Sequence, residues 1–98
     1  MSIIIEYSTI EICQTCMIKT EIIIEMVEEI IIEPLGDEPE DWRFNESDLF
    51  TIKKAIRLHN DLGINFAGIA LALDLYGQVE KHQSRISHLE NLLIQFEK

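Results

Sequence analysis

AIRLHNDLGINFAGIALALDL, residues 55–75, reads as two apolar helices joined at a tight elbow. Leu62 ends the first helix, Gly63 stands where a left-handed C-terminal cap is wanted, and Asn65 has the side chain to cap the second. The spacing predicts two antiparallel helices folded back on each other. Beyond the elbow, Gly68, Ala70 and Ala72 leave little bulk, so a neighbouring helix has room to approach closely, while Ile69, Leu71, Leu73 and Leu75 supply apolar surface. That combination makes a docking core and no catalytic one.

Downstream of Asn65 the helical pattern continues without Pro and with one weak interruption, at Gly77. Leu75, Val79, His82, Ile86, Leu89, Leu93 and Phe96 alternate spacings of four and three, which holds one stripe in register along the helix. His82 is its one polar member, expected to be packed or to set register. A free helix of about three heptads is marginal in water, so the seam is expected to pack on another helix of this chain or on a second copy, the second copy being favoured.

Upstream of residue 55, Asn45 and Asp48 have the spacing to cap a helix whose inner face is assigned to Leu49, Ile52, Ala55, Ile56, His59 and Leu62. Phe50, Lys53, Lys54 and Arg57 fall on its outer side, a solvated face more than a nucleic-acid patch. Before it, Ile30 to Glu33 and Trp42 to Phe44 read as two strands around the acidic loop PLGDEPED, forming a β-hairpin wing. The N-terminal IIIEY reads as a short strand, and Ser8 with Glu11 has capping-box spacing for a first helix over Thr9 to Cys16, with Ile10, Cys13 and Met17 inward. Thr20 is expected to cap a second helix, to about Glu29, that buries Ile22, Ile23, Met26, Val27 and Ile30. At about 100° per residue, Ile24 falls on the opposite face beside Glu21 and Glu28. It is read as an exposed isoleucine among carboxylates: an ordinary surface aliphatic or a partner anchor.

Ninety-eight residues with 47% hydrophobic content suit a single folded domain over residues 1–98, with residues 1–48 forming the helix-turn-helix and wing and 49–98 the helical hairpin and long helix. The apolar runs are too short to span a bilayer, and MSIIIEY lacks the basic start of a signal peptide, so a cytoplasmic protein is expected. The net charge of −10 is uneven: residues 1–48 carry thirteen acids against Lys19 and Arg43, while residues 49–98 carry five acids against six bases. The front half therefore repels phosphate and attracts a basic protein surface, unless the acids serve solubility alone.

Cys13-Gln14-Thr15-Cys16 is an isolated C-x-x-C. His59, His82 and His88 lack zinc-finger spacing, and the pair has no βαβ setting, so two structural thiols are expected and no metal or cofactor. No nucleophile-base pair or phosphate-binding loop occurs elsewhere, and solvated runs such as Asp37 to Asp41 lack the apolar surroundings that raise a carboxyl pKa. No enzyme is expected.

Two short helices, a wing, a helix, an elbow and a long C-terminal helix follow the order of MerR-type winged helix-turn-helix regulators. The chain more closely resembles the chaperone-modulatory protein CbpM family, from about Ile3 to Phe96, through Glu11-Ile12-Cys13, Ile31-Ile32-Glu33-Pro34, Trp42-Arg43-Phe44, Ala55-Ile56-Arg57-Leu58, Leu62-Gly63 and Gly68-Ile69-Ala70-Leu71-Ala72-Leu73. It departs at Met17 and Lys19, where Gly and a capping Ser or Thr are expected, and at Glu29-Ile30, where Leu-Gly usually closes the second helix. The resemblance implies a mainly α fold with a small β-hairpin wing: a MerR-like winged helix-turn-helix, then a helical hairpin and a long coiled-coil-like helix. It also implies a protein that binds the J-domain of a DnaJ-like, CbpA-type co-chaperone and inhibits its co-chaperone and DNA-binding activities. J-domains in that family present a basic helix, which an acidic front half complements. Helix geometry makes Glu21, Ile24, Glu25 and Glu28 the candidate partner patch and Leu75, Val79, His82, Ile86, Leu89 and Leu93 the candidate homodimer interface. The alternatives are a MerR-like transcriptional regulator, disfavoured because the second helix has Glu where DNA readers carry Lys or Arg, and a homodimeric adaptor module.

Overall fold

The computed structural model describes residues 4–96. In chain order, β1 (Tyr7–Ser8) leads into α1 (Thr9–Cys16) and α2 (Thr20–Glu28), followed by β2 (Arg43–Phe44), α3 (Glu46–Leu62) and α4 (Phe66–Phe96). Ser8 caps α1 through the expected capping box: its hydroxyl accepts from the Glu11 N–H at 3.2 Å and the Glu11 carboxylate accepts from the Ser8 N–H at 3.0 Å. Asn45 and Asp48 form a second box at the start of α3, at 2.7 and 3.0 Å. Ile12, Ile23 and Met26 from the helix-turn-helix meet Phe44, Ile52, Ala55, Phe66 and Ile69 in one core. Trp42 joins it edge-on to Phe44, with ring centroids 6.2 Å apart.

The wing differs from the expected hairpin. Ile30 to Glu33 forms no strand, and β2 pairs antiparallel with β1, Tyr7 opposite Phe44 and Ser8 opposite Arg43. What remains of the hairpin is one bridge, Leu35 with Arg43, closed in both directions at 3.1 and 2.9 Å. β2 has two edges, and the N-terminal strand occupies the longer pairing. Of the N-terminal apolar run, Ile3 lies outside the described residues, and Ile4 and Ile5 precede the strand.

Inside the helices the apolar assignments shift. Ile12 and Thr9, not Ile10 and Met17, are buried on α1, and Cys13 is half-buried. On α3, Ile52 and Ala55 are buried, with Leu49, Ile56 and His59 half-buried and Leu62 exposed beside the cap. Lys19, not Thr20, is the N-cap of α2, and it offers no side-chain bond there. Gly63 caps α3 in the left-handed region at φ 67°, and Asn65 caps α4 by accepting from the Gly68 N–H at 2.8 Å.

The elbow also corrects the expected antiparallel hairpin: the chain turns through 119° between α3 and α4. His59 fixes that turn, with Nδ1 2.7 Å from the Ile64 carbonyl oxygen and its ring stacked on Phe66 at 4.6 Å. Lys54 Nζ lies 4.7 Å over the Tyr76 ring. Past that contact α4 diverges, and every residue from Gln78 to Gln95 is exposed. Gly77 does not interrupt the helix. The molecule is correspondingly long, 58 × 42 × 22 Å.

Candidate functional site

α2 carries three of the thirteen acids of residues 1–48 and no base to offset them. Its nine residues, TEIIIEMVE, hold Glu21, Glu25 and Glu28, all exposed, and neither Lys nor Arg. Glu21 and Glu25 are four residues apart, and Glu25 and Glu28 three, so the carboxylates line one side of the helix. A helix in this position that read DNA would need donors for base edges and cations for phosphates, and here each carboxylate would meet a phosphate unpaired.

Ile24 is corrected by the structure. It is half-buried and packs against the core, as do Ile22 and Val27, beside the fully buried Ile23 and Met26, so α2 buries more than one stripe. Its apolar surface is therefore partly used within the chain. Ile30, expected inside, is 69% exposed. It sits at φ 59°, just past the end of α2, with its N–H donating to the Val27 carbonyl and the Ile31 N–H donating to the Met26 carbonyl. That pair of bonds is a Schellman closure, whose left-handed position favours glycine. Met17 closes α1 from the same left-handed region at φ 57°, with its own N–H and that of Ile18 both donating to the Cys13 carbonyl, and is 91% exposed.

Between the end of α2 and the wing lies an open groove of about 410 Å³, lined by Val27, Ile30, Ile32, Glu33, Pro34, Gly36, Asp37 and Trp42. Most of its lining residues are apolar, its charged members are both acidic, and Trp42 among them is buried. Periodicity could not show it, since the groove joins a helix end to a loop. The one signal in the sequence is Glu29-Ile30 where a glycine would close the helix.

The second assigned surface is the α4 stripe. Leu75, Val79, Ile86, Leu89 and Leu93 are between 49% and 62% exposed, and His82 is exposed with them. The Phe96 side chain lies outside the description. Leu92 and Ile94 add further apolar surface, so the stripe is wider than the seam alone.

The cysteines are free thiols, both half-buried on α1. Burial disfavours the Cys16 thiolate and raises the thiol pKa above its ordinary value, although the nearby Lys53 charge pulls the other way. Among the described residues no group of three or more His, Cys, Asp or Glu is placed to hold a metal ion, and no single helix is long and apolar enough to cross a membrane.

Two short helices, a wing and a core shared with α3 define a winged helix-turn-helix protein, and the profile of the MerR helix-turn-helix regulatory protein family matches residues 7–91. Within that class, the chaperone modulatory protein CbpM of Pseudomonas putida is 36% identical over 95 residues, covering 97% of this chain and 94% of its own. The protein of that name from Coxiella burnetii is 44% identical over 80 residues, covering 82% of this chain and 76% of its own. The chain belongs to the chaperone modulatory protein CbpM family of MerR-like proteins. Its relatives bear the names of modulators and regulators, not of enzymes.

Proposed function

We propose that this chain is a cytoplasmic chaperone modulator, acting as a single domain without a cofactor, that binds the J-domain of a DnaJ-like, CbpA-type co-chaperone and inhibits its co-chaperone and DNA-binding activities. The observation that carries the reading is the reversed charge of α2: a helix in the DNA-reading position of the fold presents Glu21, Glu25 and Glu28 and no base. The names of the relatives place the partner among chaperones or their helpers. Long-range attraction speeds encounter with a basic partner helix and selects against acidic ones, while a few apolar contacts slow release. Glu21, Ile24, Glu25 and Glu28 form the proposed contact patch, with Ile24 contributing only the surface its own core leaves free. The α4 stripe, Leu75, Val79, His82, Ile86, Leu89 and Leu93, forms the proposed homodimer interface.

Calorimetric titration with the isolated J-domain of the DnaJ-like protein from the same cell, at low and moderate salt, tests the reading. Saturable binding that weakens with salt is the expected result; no binding at high protein concentration sinks it for that partner. The exposed α4 stripe favours one second reading, a homodimeric adaptor whose front half plays no part in partner choice. Charge reversal on α2 would leave the partners of such an adaptor unchanged.

A further inference from the structure

Ile30 is an exposed isoleucine held in the left-handed region of the backbone. Only glycine enters the left-handed region freely, and a β-branched residue at φ 59° crowds its own carbonyls. The chain nevertheless places isoleucine there and leaves the side chain 69% exposed. The strain secures nothing inside the fold, because the Schellman bonds from Ile30 and Ile31 to Val27 and Met26 would form as well with glycine. What the isoleucine does add is exposed apolar surface on the groove that the buried Trp42 also lines.

The groove is already shaped. Gly36, at φ 109°, brings the loop so close that a Cβ would lie 2.6 Å from the Asp41 carbonyl oxygen, and the Asp41 N–H donates to the Glu38 carbonyl at 2.8 Å. The Leu35 and Arg43 backbones close the loop behind it, and the Thr9 hydroxyl ties it to α1 through the Pro39 carbonyl at 2.6 Å. A binder would therefore meet a wall that needs little ordering. The charged residues lining it are Glu33 and Asp37, with no Lys or Arg among the lining residues. Apolar walls with a rim of one sign fit an apolar side chain flanked by charges of the other sign.

We infer that the groove between Ile30, Trp42 and the Glu33–Asp37 rim seats an aliphatic side chain from a basic segment of a partner protein. The inference rests on the reading of the chain as a binder of basic protein surfaces, and it moves the apolar anchor from Ile24 to the end of α2.

Trp42 is the only tryptophan in the sequence, so its fluorescence reports the groove directly. The full chain would be titrated with a tryptophan-free peptide carrying one leucine between pairs of lysine and arginine, and separately with the J-domain, measuring fluorescence and heat. Saturable change with the basic peptide, weakening with salt and absent for the same peptide with glutamates, is expected. Ile30→Gly and Ile30→Asn, both compatible with the left-handed backbone, should weaken peptide binding about tenfold with thermal stability kept or raised. Glu33→Lys with Asp37→Lys should weaken it further at low salt. Equal binding by wild type and Ile30→Gly, or a silent Trp42, overturns the groove. A fluorescence change that depends on protein concentration without peptide also overturns it, assigning the groove to a second copy. J-domain binding that leaves Trp42 silent and Ile30 indifferent removes the groove but keeps the modulator reading; peptide binding without J-domain binding does the reverse.

Discussion

Ile24 and Ile30 exchange roles between sequence and structure, and the exchange follows from geometry at single residues. A helical wheel assumes one buried stripe and an unbroken helix; on α2, Ile22, Ile24 and Val27 all pack against the core beside the buried Ile23 and Met26, and the helical path ends at Glu28. The Glu residues are insensitive to that error, since charge keeps them in water wherever the helix turns. Glu21→Lys with Glu28→Lys should leave the circular dichroism spectrum and melting temperature close to wild type, and lower affinity for a basic J-domain about tenfold at low salt, with the difference shrinking as salt is added. Unchanged affinity would exclude this face. The Ser8–Glu11 box makes a second prediction. The Ser8 backbone N–H, then its hydroxyl, holds the Glu11 carboxyl below the usual carboxylate range. A depressed folded-state pKa gives stability that is full above the unfolded value and is lost as pH falls through the folded one. Glu11→Gln should therefore flatten the acid limb of the stability curve below about pH 4, measured by thermal melts in steps of pH.

At the scale of elements, helix ends were more legible than helix faces. Ser8, Asn45, Gly63 and Asn65 all cap where their chemistry requires, because capping is local and needs only neighbours three or four residues away. Asn45→Ala should cost about 1 kcal/mol, read from urea unfolding; no loss would mean that packing of Phe44 and Ile52 alone fixes the start of α3. At the opposite end of the scale of comfort, Ile30→Gly should hold or raise stability by up to about 1 kcal/mol: relief of the left-handed strain outweighs the entropy glycine gains in the unfolded chain. A clear loss would show that Ile30 packs more than its exposure indicates. The wing departs from its local strand pattern because strand pairing is non-local. Residues 30–33 have strand composition, yet β2 pairs with β1 from the other side of the helix-turn-helix.

Across the whole molecule, the elbow angle governs what α4 is available to do. A turn of 119° lets only the first turns of α4 reach α3, and its remaining length projects as an exposed apolar stripe. In the unpaired chain that stripe has nothing to cover it, while pairing with a second copy would bury most of it. Ile86→Asp with Leu89→Asp should convert a dimer to monomers in sedimentation velocity and lower helix content, leaving the core around Phe44 folded. If these variants keep J-domain binding, the modulator acts through its front half; if they abolish it while α2 charge reversal has no effect, the adaptor reading stands.

Local chemistry along the chain settled the order of the helices, the caps at Ser8, Asn45, Gly63 and Asn65 but not the Thr20 cap expected for α2, the acidic character of α2 and the heptad stripe, because each depends on neighbours within a turn or two or on charge that stays in water. The angle at the elbow, the partner of β2, the half-burial of Ile24 and the groove beside Ile30 were decided only when distant segments packed. Each is a choice among surfaces that look equally apolar in one dimension and differ only in what stands opposite them.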